Sequence, residues 1–214
     1  MPIENFAIFD IDGTLHKTEV MSLAAYEVVM REYGRPVPDR ETLFSTYGAN
    51  TETILHILGI EAAFAQDFID RITQEEGRQM ARIGECYEGV LPALRRLATE
   101  GVTLGICSMC SEPYMQAFLD RFGLRELVPF CRNESAGTDK RLVLREMVET
   151  YRPRRAIMVG ERAYDKAAAA YSGILFVGCT YGYAPEEVSD APILAASGAE
   201  LYSAVRQVLD SQRP

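Results

Sequence analysis

Residues 6–16 read FAIFDIDGTLH. The first six, FAIFDI, form a short apolar run of the kind that a parallel sheet buries on both faces. That run carries two acids two residues apart, Asp10 and Asp12, before Gly13 and Thr14 turn the chain. If strand geometry continues, side chains at i and i+2 point the same way. Two carboxylates so placed repel unless a cation or a shared proton lies between them. Solvated turn acids ahead of a glycine would be a blander reading. Against it, Asp10 lies inside the apolar run, where a carboxylate needs partners.

Beyond the turn, residues 18–85 keep helical spacing throughout: Leu23, Tyr26, Val29 and Met30, then Ile54, Leu55 and Leu58, then Phe64, Phe68 and Ile72. Gly34-Arg-Pro36, Gly48 and Gly59 punctuate the stretch, which predicts three or four helices and no strand. From Gly89 the pattern alternates. Helices are predicted over 90–101, 111–123, 138–151, 162–173 and 199–211, and strands over 102–108, 127–132, 156–161, 174–180 and near Ile193. Ser111 is a candidate N-cap, Gly123 lies past the end of the same helix, and Thr138 or Asp139 opens the next. The alternation predicts an α/β fold, a Rossmann-like doubly wound parallel sheet with right-handed crossovers. The helical stretch is then an insertion after the first strand, dividing the chain into a core (1–16 and 87–214) and a helical cap (17–86). Sheets of this class bind ligands beyond the carboxyl ends of their strands.

Composition narrows the function classes. The chain has 214 residues, a formal net charge of −9 and 48% hydrophobic residues, enough for one compact domain with an insertion. An acidic average surface repels polyanions, so nucleic acid is not the expected partner and any phosphate must be captured by a local site. No run approaches the ~18–20 apolar residues of a membrane span, and MPIENF lacks the pattern of a signal peptide. The expectation is therefore a cytoplasmic location, no membrane partner and a small-molecule ligand. Five cysteines, Cys86, Cys107, Cys110, Cys131 and Cys179, are an odd count for a disulfide framework. Cys107-Ser-Met-Cys110 has redox or half-zinc spacing, but the chain holds only two histidines, His16 and His56, and the expected state is buried, reduced thiols.

Three more polar groups fall at the carboxyl ends of later strands. Ser108 ends 102–108, Glu161 ends 156–161 with Asp165 four residues on, and Lys140 opens the helix after 127–132. A serine there is often only a helix cap, and a lysine at a helix start is commonplace. Lys140, however, is one of only three lysines, with Lys17 and Lys166, in a chain rich in arginine.

On these residues the sequence resembles the haloacid dehalogenase superfamily, in its phosphatase branch with a helical C1-type cap. Asp10-Ile-Asp12-Gly13-Thr14-Leu15 matches the first motif, Ser108 the second, Lys140 the third and Glu161-Arg-Ala-Tyr-Asp165 the fourth. YEGV (87–90) and RFGL (121–124) are similar to connecting segments of the phosphoglycolate-phosphatase-like group. The resemblance implies Mg²⁺-dependent hydrolysis of a small phosphorylated metabolite, with Asp10 as nucleophile forming an aspartyl-phosphate. It implies Asp12 as acid and base with its backbone carbonyl on the metal, and Lys140 as the phosphate cation. Gly13, Thr14, Ser108 and Met109 would bind phosphate, and Asp10, Asp12, Glu161 and Asp165 would form the metal site.

Glu161 departs from the family, which usually has aspartate there. One methylene moves the carboxylate by about 1.3–1.5 Å. The glutamate backs away to reach the metal, Asp165 becomes the principal ligand, or the metal site is weakened. Among rival activities, Asp12 argues against dehalogenation, which needs no protonated leaving group. The absence of lysine from 18–85 argues against phosphonate cleavage. A sugar phosphomutase shares the motifs, with His16 at the hinge either a proton carrier or a plain polar contact. A non-enzymatic phosphate- or partner-binding relative has Glu161 as its support. Within the cap, residues 44–50 form a candidate recognition loop in which Thr46, Tyr47 and Asn50 offer donors, unless Phe44 and Tyr47 are simply the buried face of a helix. His56 reads as a packed helix residue, and Arg78 and Arg82 either meet a substrate carboxylate or are solvated.

Overall fold

The computed structural model describes residues 3–47, 49 and 51–211. Six parallel strands form one sheet: β1 (Asn5–Phe9), β2 (Thr103–Cys107), β3 (Phe130–Arg132), β4 (Arg155–Gly160), β5 (Leu175–Cys179) and β6 (Ile193–Ala195). Their order is β3-β2-β1-β4-β5-β6. β1 lies in the middle, with Ile8 level with Gly105 of β2 on one side and Met158 of β4 on the other. Phe6 through Phe9 are fully buried, which is why this strand reads as a continuous apolar run. The chain order reverses across β1 and β4, so their carboxyl ends open the crevice where such sheets hold ligands.

Helices α5 (Val90–Thr99), α6 (Glu112–Phe122) and α10 (Leu201–Ser211) contribute to the apolar cluster on one face, which includes Phe9, Leu94, Phe118 and Val205. Helices α7 (Lys140–Tyr151) and α8 (Ala163–Ser172) cover the other, with Phe6, Leu144, Met147 and Met158. Burying one such side chain is worth roughly 1.5–3 kcal/mol, so the alternating pattern suffices to choose this arrangement. The short helix α9 (Pro185–Val188) follows β5 and was not expected from the sequence. Ser111 caps α6 and Gly123 ends it in the left-handed region (φ 64°), as its position predicts. Of the two candidates for α7, Asp139 is the cap, its side chain accepting from the Arg141 amide at 2.9 Å. β3 starts three residues later than predicted, because Val128 donates to the Leu124 carbonyl and Pro129 has no N–H to give.

Between β1 and α5 the chain forms α1 (Thr18–Glu32), α2 (Arg40–Thr46), α3 (Thr51–Ile57) and α4 (Ala65–Ile83), four α-helices as the spacing predicts. They enclose their own apolar cluster, with Tyr26, Val29, Leu43, Phe68 and Ile72. His56 is not packed: it is exposed in the last turn of the two-turn α3, whose inward positions go to Ile54, Leu55 and then Leu58. Arg78 and Arg82 are exposed, beside Glu75 and Gln79, so the solvated reading holds. Asn50, one of the candidate donors, lies outside the described residues.

All five cysteines are free thiols. Burial pushes the thiols of Cys86, Cys107 and Cys179 up to about 12, and burial holds Cys110 well above its ordinary value. Among the described residues no helix is long and apolar enough to cross a membrane.

Candidate functional site

The site is built at the carboxyl end of β1. The ladder runs one residue past the strand, where Asp10 N–H donates to the Val159 carbonyl at 2.9 Å. Then the Ile11 carbonyl collects the amides of Thr14, Leu15 and His16 at 3.2, 2.9 and 2.9 Å, a tight turn. Strand geometry therefore does not continue to Asp12, and the two acids reach different partners. Gly13 sits in the left-handed region (φ 69°), and a Cβ there would lie 2.8 Å from the Tyr183 ring and 2.9 Å from the Glu161 carboxyl. Both facts demand glycine.

Asp10 turns toward Lys140. The Lys140 ammonium, at the first turn of α7, lies 2.6 Å from Asp10 Oδ1 and 2.5 Å from Asp165 Oδ1, and all three side chains are buried. Burial pushes Asp10 up to about 7; Lys140 pulls it down, and Asp165 and Asp12 push it up again. For Lys140, burial works against the charge, but the two carboxylates outweigh it and hold the ammonium above its usual value. Asp165 is fixed from its other side, Oδ2 accepting the Glu161 and Arg162 amides at 3.0 Å each.

Glu161, fully buried, uses its extra methylene to reach across the strand ends. Its Oε2 accepts the amides of Tyr183 and Ala184, in the loop after β5, at 2.8 and 3.0 Å. Burial first, then Asp165, push its carboxyl up to about 8. Neighbouring Arg162 offers little relief: its guanidinium is 4.0 Å from Oε1 and is spent on Glu187 and the Tyr47 carbonyl.

Asp12 is held by a separate chain of polar groups. Its Oδ1 accepts the hydroxyls of Thr18 and Tyr114, each at 2.7 Å. Burial raises its carboxyl while these two hydrogen bonds pull it down. The Tyr114 oxygen also lies 3.0 Å from His16 Nδ1, and the Glu85 amide donates to His16 Nε2 at 3.4 Å. That pattern assigns the hydrogen to Nδ1, giving a directed series from His16 to Tyr114 to Asp12. Burial pushes His16 down to about 3, so the ring is neutral. Of the two roles open for it, the structure favours the polar contact.

Among the described residues six buried side-chain oxygens have no hydrogen-bond partner. Asn5 Oδ1 and Ser172 Oγ lie away from the site, Asp165 Oδ1 is ion-paired with Lys140, and Thr14 Oγ1, Ser108 Oγ and Glu161 Oε1 are left at the site itself. Buried polar atoms are rarely left so unless a ligand or water meets them. Two cavities open nearby. One, about 90 Å³, lies between the α1–α4 layer and the sheet, with Asp12 in its wall; the other, about 490 Å³, is bordered by Lys140. Met109 and Ala49 border both. Among the described residues no three His, Cys, Asp or Glu side chains group to hold a metal ion. A divalent cation nevertheless suits the charge deficit, since Asp10, Asp165 and Glu161 share one buried ammonium and Glu161 Oε1 is unused.

Thus Asp10, Lys140, Asp165 and Glu161 are brought together, with Gly13 against Glu161, while Asp12 faces the smaller cavity. Three residues were not singled out from the sequence: Thr18, Tyr114 and Tyr183. Only Thr18, six residues past Asp12, carried a local signal; the tyrosines arrive through the fold.

The comparisons with known proteins agree with this architecture. The haloacid dehalogenase-like hydrolase family model matches residues 7–179. Tyrosine-protein kinase PtkA of Mycobacterium tuberculosis is 26% identical over 188 residues, 86% of this chain, which spans 64% of that relative's length. Phosphoglycolate phosphatase of Synechococcus elongatus is 26% identical over 178 residues, covering 82% of this chain and 84% of that protein. In structure, CbbY of Rhodobacter sphaeroides, crystallised with phosphate, superposes with a TM-score of 0.81 at 22% identity, covering 93% of this chain and 96% of CbbY. A haloacid dehalogenase-like family hydrolase from Streptococcus pneumoniae gives 0.82 at 17% identity, covering 94% and 97%. At these identities the superpositions speak for the fold alone. With the family model covering both acids, Lys140 and the Glu161–Asp165 segment, the chain belongs to the haloacid dehalogenase-like hydrolase family.

Proposed function

We propose that the protein is a Mg²⁺-dependent phosphatase that hydrolyses a small phosphorylated metabolite through an aspartyl-phosphate on Asp10. The observation that carries this reading is the pair of unpartnered buried hydroxyls, Thr14 Oγ1 in the first motif with Asp10 and Ser108 Oγ in the second, together with the Asp10–Lys140 pair that joins the first motif to the third. The relation to phosphoglycolate phosphatase and the fold shared with phosphate-bearing CbbY support it. Residues 1–16 and 87–214 act as the core that holds phosphate, and 17–86 as the cap that closes over it.

In this reading Asp10 attacks phosphorus through Oδ2, since Oδ1 is paired with Lys140. The hydroxyls of Thr14 and Ser108, with Gly13 and the Met109 segment, receive the phosphate oxygens, and Lys140 offsets their charge. Asp12 Oδ1 already accepts two hydrogen bonds, so Oδ2 gives its proton to the leaving oxygen and later takes one from the attacking water. Mg²⁺ supplies further neutralising charge. Asp10, the Asp12 backbone carbonyl and Glu161 Oε1 would hold it. Asp165, whose oxygens are taken by Lys140 and two amides, fixes that segment.

The test is Asp10→Asn: Mg²⁺-dependent phosphate release from p-nitrophenyl phosphate should vanish, and unchanged turnover would dismiss Asp10 as nucleophile. With β-glucose 1-phosphate, inorganic phosphate is the expected product; glucose 6-phosphate would mark a mutase instead.

A further inference from the structure

The cavity that Asp12 faces has an unusual wall. Hydroxyls line it, among them Tyr26, Thr46 and Thr73, together with the carboxylates of Glu76 and Glu134. No lysine, arginine or histidine borders it among the described residues. Burial pushes the Glu76 carboxyl up to about 8, with Asp12 and Glu134 adding to the push, so this space already resists the ionisation of its own acid and would resist a further anion. Nearby cations are otherwise engaged: Arg162 with Glu187 and the Tyr47 carbonyl, and Arg78 with Glu75 at the surface.

The roles proposed for Asp12 and Lys140 point to which end of a substrate enters this space. Asp12 must reach the leaving oxygen, and Asp12 borders the small cavity; Lys140, which meets the phosphoryl group, borders the larger one. The leaving group therefore lies in the small cavity. Its volume of about 90 Å³ is several times the ~10–15 Å³ that a single water needs, room for a polar group of several atoms. A carboxylate or second phosphate placed there would be an anion buried beside two acids without a counter-charge, an expensive arrangement.

Resting on the phosphatase reading, we infer that the leaving group is a small alcohol without negative charge, hydroxylated or amine-bearing, and that phosphate esters of hydroxy acids are rejected. Glu76 and Glu134 are the residues that exclude the acids, and the hydroxyls of the wall receive the polar groups of the alcohol. The preference runs opposite to the substrate for which the phosphoglycolate phosphatases are named.

The experiment measures kcat/KM with Mg²⁺ for ethanolamine phosphate, glycerol 3-phosphate, 2-phosphoglycolate and 3-phosphoglycerate, with p-nitrophenyl phosphate as a reporter of basal chemistry. At least one of the first two esters should exceed both acids by tenfold or more. At pH 9, above the value of about 8 to which burial pushes its carboxyl, Glu76→Gln should narrow that ratio several-fold, and Glu134→Gln, at a half-exposed position, provides the same comparison should the first variant fail to fold. Equal or better turnover of the acids, or turnover of the reporter alone, overturns the inference and leaves the phosphatase reading standing. So does an unchanged ratio in both folded variants. Turnover of nothing, the reporter included, overturns the phosphatase reading and this inference with it.

Discussion

Glu161 Oε2 accepts the backbone N–H of Tyr183 at 2.8 Å, tying the end of β4 to the loop that follows β5. An aspartate at 161 would be too short by one carbon–carbon bond, about 1.5 Å, to hold this contact and the one to Ala184. The departure from the family's usual residue thus has a structural use of its own.

Glu161→Asp should accordingly separate stability from metal binding. Two amides lose their acceptor, which costs about 1–3 kcal/mol, and in a chain of this size each kcal/mol lowers Tm by about 2–4 °C. Mg²⁺ affinity, measured by calorimetry, should hold or improve. A large loss of affinity with an unchanged Tm would instead show a site tailored around glutamate.

Lys140→Ala leaves Asp10 and Asp165 buried without their cation. Stability should fall by about 3–5 kcal/mol at pH 8, where the Asp10 carboxyl, pushed up to about 7 by burial even beside its cation, must without that cation either stay charged and unpaired or take up a proton against the pH. The deficit should shrink at pH 5.5, as protonation removes the uncompensated charge. Denaturant titrations at the two pH values check this; an equal deficit at both would assign the loss to packing.

Tyr114→Phe removes one of the two donors on Asp12 Oδ1 while keeping the ring. A hydrogen bond to a charged group is worth about 1.5–3 kcal/mol, so kcat should drop roughly 10- to 100-fold with KM little changed. Tyr114 touches Asp12 rather than the reacting atoms, so the pH dependence of kcat should shift as well. A loss confined to KM would remove Tyr114 from this role.

His16 gives a pH signature in stability. Its pKa is about 3 in the fold against the ordinary 6.5. The unfolded chain therefore takes up a proton that the fold refuses, and stability from this residue is present above pH 6.5 and lost as pH falls toward 3. The slope is at most about 1.4 kcal/mol per pH unit. His16→Gln should flatten the pH dependence between 6 and 4 relative to the parent chain. The buried carboxylates slope the other way but are common to both proteins, so identical slopes would count against the assignment.

The sheet was legible from the sequence because burial on both faces leaves continuous apolar runs such as 6–9 and 156–159, punctuated by caps and glycines with local causes. Ser111 and Gly123 show this at both ends of α6. The site was legible where chemistry sits on strand ends: Asp10, Lys140 and Asp165 meet as sheet topology requires. Contacts across long separations were not. Tyr114 lies 102 residues from Asp12, and in sequence it is one aromatic on an amphipathic helix, no different from Phe118. Glu161 showed itself as unusual, but only the loop at 183–184 explains it. His56 was misread because periodicity in a helix of two turns leaves too few positions to define a face.

The buried thiols carry a practical corollary. Alkylating and oxidising reagents attack the ionised sulfur, and a group titrating near 12 is ionised in roughly one molecule in ten thousand at pH 8. Cys107 and Cys179 should stay unlabelled by iodoacetamide in the folded chain and react only once it is unfolded, which makes them built-in reporters of unfolding.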